Sequence, residues 1–164
     1  MVDEVTKMTR EAVEKGGILA KLYFDMQSEK QEDLQPLMTD LISNRLLKTP
    51  GVLYCFGEVA EPIKVEEHYT TNAVVTALFK DVAAIVNVAF NYAPAGVEIL
   101  KPEKEIVIRT HEMQAMLSDI SQVAMQYSQF ILQRVLSKED YEKAMSDLRN
   151  REELGKKLID KDGK

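Results

Sequence analysis

A single cysteine, Cys55, occurs in the 164 residues, so no intrachain disulfide is possible. That usage fits a reducing compartment. No N-terminal stretch has the charged, then apolar, then small-residue order of a signal peptide. No apolar run approaches the roughly 20 residues of a membrane-spanning helix. The expectation is a cytoplasmic chain with no membrane partner. Gly-rich phosphate loops are also missing: Gly16-Gly17 precedes a strand pattern, and no Lys-Ser/Thr follows at the needed spacing. With no Cys pair and no His-Glu-x-x-His, neither a zinc site nor any other cofactor is expected. Positive charge is in deficit, 21 Lys and Arg against 27 Asp and Glu, with a formal net charge of −6. An acidic chain is a poor match for nucleic acid. No strand carries the aromatic and basic signature of an RNA-recognition motif. The one concentrated lysine run (Lys156, Lys157, Lys161, Lys164) is mixed with acidic residues and reads as a frayed, solvated end.

What is present is ordinary globular composition, 45% hydrophobic and 29% charged. The expected organisation is one domain over 1–164, with a core at 17–110, a long packing helix at 111–136, and a peripheral charged helix and frayed tail at 137–164.

The periodicity switches several times. Val2, Val5, Met8, Thr9, Ala12 and Val13 give a first helix, ended by Gly16-Gly17. Ile18, Ala20, Leu22, Phe24 and Met26 alternate as a strand with one buried face. Leu34, Leu37, Met38, Leu41 and Ile42 form a helical stripe, with Asp33 as its expected cap and Pro36 in its first turn. Thr49-Pro50-Gly51 is a turn signal. Val52 to Val59 is a second strand, Gly57 marking a bulge. Tyr69 to Phe79 is a third, with residues 60–68 extending both into a hairpin. Asp81 caps a second crossing helix through Val82, Ile85, Val86, Ala89 and Phe90. Val97 to Leu100 is the fourth strand, and 105–109 a short fifth piece.

This order, β-α-β-β-α-β, predicts an α+β, ferredoxin-like, four-stranded antiparallel sheet with both crossing helices on one face. Val74, Thr76 and Leu78 make the second face partly apolar as well. The wide stripe of Met113, Met116, Leu117, Ile120, Val123, Ala124, Tyr127, Phe130 and Ile131 makes the long helix the expected cover for that face.

Few residues point to chemistry. Cys55 is either a nucleophile served by His68 or His111, or a small buried hydrophobe. His68, beside Glu66 and Glu67, offers an imidazole among carboxylates, although neighbours on a strand alternate faces and a solvated hairpin explains the cluster as well. Thr110 and Glu112 suit the start of the long helix. Candidate ligand-binding residues are Tyr54, Tyr69, His68 and Glu66, with Tyr23 and Tyr92 as further aromatic lining. Candidate interface residues are Met113, Met116, Ile120 and Tyr127, whose flexible or aromatic side chains suit an adaptable surface.

Over about Ile18 to Leu100 the order of elements resembles the regulatory ACT and Lrp/AsnC-type effector domains. Such a resemblance implies a small module that dimerises and binds a small-molecule effector. ACT domains typically carry a glycine in the turn after the first strand, where this chain reads Asp25-Met26-Gln27-Ser28. The general texture is similar to that of small uncharacterised archaeal proteins. Three function classes follow: a non-enzymatic regulatory or assembly module acting as a homo-oligomer, a small-ligand sensor, and a small enzyme using Cys55 or His68.

Overall fold

Alternation in the strands and helical stripes between them produce a mixed α+β fold around one antiparallel sheet of five strands. The computed structural model describes residues 2–147, 149 and 150. The expected frayed lysine tail, and the last part of the charged helix expected from Ser137, lie outside the described residues. The chain divides into two units, Met1–Arg109 and Thr110–Lys164.

In the first unit, α1 (Val2–Glu14) is followed by β1 (Ile18–Ser28), α2 (Gln31–Asp40), a π-helical turn (Leu41–Leu46), β2 (Val52–Val59), β3 (Ile63–Val65), β4 (His68–Phe79), α3 (Val82–Tyr92) and β5 (Gly96–Lys101). The sheet runs β2-β4-β1-β5, with β3 added to the far end of β4. Four strands were expected. The fifth, β3, forms because the hairpin continues pairing, Ile63 with Thr70 and Val65 with His68. Residues 105–109 form no strand.

Register assigns the two faces. Ile18 pairs with Phe79, Ala20 with Ala77, Leu22 with Val75 and Phe24 with Ala73. All eight are buried and form one core cluster with Met38 and Leu46 and with Ala84, Ile85 and Val88 of α3. Thr71 is the buried polar residue of this region, and its hydroxyl donates to the Ala60 carbonyl at 2.6 Å. Hydrogen bonding offsets the cost of burying that hydroxyl.

Local chemistry sets the element ends. Asp81 caps α3, its carboxylate accepting from the Ala84 amide at 2.9 Å. Thr49-Pro50-Gly51-Val52 closes a tight turn by a Val52 N–H to Thr49 carbonyl bond of 3.0 Å, with Gly51 at φ 89°. Proline then glycine at the central positions is what a type II turn requires. Two expectations are corrected. First, α2 starts at Gln31, where the Ser28 hydroxyl accepts from the Lys30 amide, not at Asp33. Pro36 is therefore inside the helix, where it removes one backbone bond on the exposed side. Second, the β2 bulge is at Leu53, between Val52↔Phe79 and Tyr54↔Leu78, whereas Gly57 pairs regularly with Val75.

The opposite face is covered at one end by α1. Leu19, Tyr54 and Leu78 are on that face by register, and Leu78 is fully buried. The hydroxyls of Thr9 and Tyr54 are 2.9 Å apart. At this end α1 lies on the sheet, because Gly16-Gly17 folds it back directly onto the strand it precedes. On the same face Phe56, Val74 and Tyr23 are exposed, with Lys21, Glu58 and Glu98 beside them.

In the second unit, α4 (Thr110–Val135) runs 26 residues, and residues 138–147 are again helical. Ser137 starts that second helix, its hydroxyl accepting from the Asp140 amide and donating to its carboxylate. Gln133 reaches Tyr141 at 3.0 Å. Among the described residues, no helix is long and apolar enough to cross a membrane.

Candidate functional site

The four residues chosen as ligand contacts are not gathered together. Tyr54 pairs with Leu78 on the α1 side of the sheet. Tyr69 belongs to the opposite face, in line with Thr71 and Ala73, where it lines an open hollow beside Thr39, Asp40 and Pro62. A sheet two side chains thick separates them, so they cannot grip one ligand. Asp40 at that hollow is already engaged: hydrogen bonds from Asn44 at 2.8 Å and Arg45 at 3.0 Å hold its carboxyl below the ordinary range.

Glu66 and His68 are at the β3–β4 hairpin. Glu66 has a left-handed backbone, φ 53°, in the two-residue turn, and His68 pairs across the strands with Val65. Both are exposed. Among the described residues, no group of three His, Cys, Asp or Glu side chains is placed to hold a metal. Of the remaining tyrosines, Tyr23 donates to Glu98 at 2.9 Å, which raises the phenol pKa, and Tyr92 meets Thr49 at 2.8 Å.

Cys55 faces the core side, opposite Ala77, and its Sγ donates to the Ile42 carbonyl at 3.8 Å. Burial pushes the thiol up. A raised thiol holds less of the thiolate that does nucleophilic chemistry. Its surroundings match those of a small hydrophobe at the core edge.

The residues chosen as an interface form a coherent surface. On α4, Met113, Ile120 and Tyr127 recur at sevens, as do Met116, Val123 and Phe130. A third column, Leu117, Ala124 and Ile131, runs beside them. Apolar residues at a, d and e of a heptad make a stripe wide enough for bundle packing. None of them is buried, and Leu117 and Ile131 are 54% and 57% exposed. Flanking positions Ser118, Gln122 and Gln126 are uncharged. The initial choice of Met113, Met116, Ile120 and Tyr127 omitted the third column, although the sevenfold repeat of Leu117 and Ile131 is legible in the sequence. The cation of Arg134 is 4.4 Å from the Phe130 ring centre and closes the C-terminal end of the stripe.

No curated protein and no solved structure matches the chain. The model of the MJ0538 family, named after an archaeal protein, matches residues 19–153, from β1 to beyond the end of α4. That match reaches into both units and covers well over half of the sequence, so the chain belongs to the MJ0538 family.

Proposed function

We propose that this chain is a non-enzymatic assembly module that joins copies of itself along α4. The carrying observation is the three-column heptad stripe of α4, none of whose residues is buried. Exposed apolar surface of that extent marks an interaction site in a water-soluble unit. A second copy is the favoured occupant on charge grounds. The stripe is flanked by serine and glutamine within a chain of net charge −6, so it meets its own kind with little like-charge repulsion and asks for no basic partner.

The first unit supports a regulatory setting for that assembly. Setting aside the three-residue β3, the strand order β2-β4-β1-β5 with α2 and α3 on one face is compatible with a ferredoxin-like βαββαβ core, the arrangement of ACT and Lrp/AsnC-type modules. A protonated, half-buried Cys55 weighs against thiol catalysis.

Native mass spectrometry of the purified chain, beside a Leu117→Asp/Ile131→Asp variant, tests the reading. Expected are a dimer or larger assembly for the parent and a monomer for the variant, with unchanged far-UV circular dichroism. A monomeric parent at micromolar concentration, or an assembly indifferent to both substitutions, would overturn it.

A further inference from the structure

Between α1 and the sheet there is a cleft of about 520 Å³, within the size range of small-molecule sites. Its walls are mostly apolar: Val5 and Val13 from α1, Leu19 from β1, and the rings of Tyr54 and Phe56 from β2. Those rings stack with centres 5.9 Å apart and planes inclined 24°. Phe56 is 59% exposed, so an aromatic face at the cleft remains open to further stacking.

Two polar features are set against this apolar wall. The Thr9 and Tyr54 hydroxyls share one hydrogen bond. The Thr9 hydroxyl donates to the Val5 carbonyl at 2.7 Å, so the Tyr54 hydroxyl donates to Thr9 and both hydrogens are used within the protein. The second feature is charge: Arg10 and Lys101 line the cleft against one acid, Glu14, in a chain that is otherwise acidic. Lys101 is paired with Glu103. Arg10 is in no ion pair among the described residues. A guanidinium presents a planar pair of donors that fits a carboxylate.

We propose that this cleft binds a small aromatic carboxylate, its ring on Phe56 and Tyr54 and its carboxylate on Arg10. The Thr9–Tyr54 hydrogen bond fixes the Tyr54 ring on the wall of the cleft. This site belongs to the first unit and is independent of assembly through α4.

The test is an amide NMR titration of the full chain with phenylbutyrate and, separately, with phenylbutanol, its neutral counterpart. Expected are saturable shifts at Thr9, Tyr54, Phe56 and Thr76, with the acid binding about tenfold tighter than the alcohol, the scale of one charge-assisted contact. Arg10→Gln, at an exposed helix position, should erase that difference while leaving the alcohol's affinity unchanged. Absence of saturation, shifts confined to α4, or equal affinity of the parent for acid and alcohol would each overturn the proposal. Because the readout is local to the cleft, its failure is separable from failure of the assembly reading, which is measured by mass.

Discussion

Thr9 and Tyr54, forty-five positions apart, hold their hydroxyl oxygens at 2.9 Å and so tie α1 to the face of the sheet away from the core helices. Replacing Tyr54 with Phe keeps the ring and removes the bond. The expected loss is about 1 kcal/mol, the usual net worth of a part-buried hydrogen bond. Urea melts of Tyr54→Phe, Thr9→Val and the double variant form a cycle that isolates the pair. Strict additivity would show that the two hydroxyls do not interact in solution.

Gly16 and Gly17 turn α1 back onto β1 by different physical means. Gly16 has φ 96° with nothing near its missing side chain, so alanine there strains only the backbone, at about 1 kcal/mol. At Gly17 a Cβ would be 2.7 Å from the Ala12 carbonyl oxygen and 2.8 Å from that of Phe79. Neither backbone atom can rotate away. Gly17→Ala is expected to cost more than Gly16→Ala, about 2 kcal/mol or above, as an overpacked site does. Calorimetric melting of the two variants decides it, and a smaller drop for Gly17→Ala would contradict this packing.

Pro36 interrupts α2 on its exposed side. Alanine restores an amide that can bond to the Glu32 carbonyl. Against that gain stands the added freedom of the unfolded chain. Because an interior helical proline costs about 3 kcal/mol, the helical gain should win and Pro36→Ala should raise the melting temperature. A lower melting temperature would mean that the proline helps set the π-helical turn at Leu41–Leu46.

Cys55 gives a pH dependence. Burial raises its pKa, so the folded chain keeps the proton over a range where the unfolded chain has lost it. The unfolded state then binds fewer protons, and stability falls as pH rises through the unfolded thiol value; below that value the contribution is complete. The urea midpoint of the parent should drop more than that of Cys55→Val between about pH 7 and about pH 10, which brackets the thiol range. Parallel curves for the two proteins would remove the burial argument.

Much of the first unit was legible because strands and helices have different apolar periods. Ile18 to Met26 and the odd residues of β4 show period two, and the buried faces are those residues. Asp81 and Thr49-Pro50-Gly51 were legible because caps and turns are specified within four residues. The start of α2 was misplaced because Ser28, at the beginning of the polar stretch that ends at Asp33, supplies the local acceptor instead of Asp33. The bulge was misplaced because glycine is permissive anywhere in a strand, whereas the extra residue, Leu53, is set by pairing with β4.

The candidate site divides along the same line. Heptad columns on α4 are a property of one segment, so Met113, Met116, Ile120 and Tyr127 were readable as one surface. Tyr54 and Tyr69 were grouped as ligand contacts because composition cannot tell one sheet face from the other. Their separation follows from register, since a strand sends alternate side chains to opposite sides. The sequence by itself determined the order of the main elements, the buried parity of β1 and the apolar face of α4, all carried by local spacing. Only the tertiary structure decided that α1 covers the second face and that Arg10, Tyr54 and Phe56 line one cleft, because those approaches join residues with no local pattern in common.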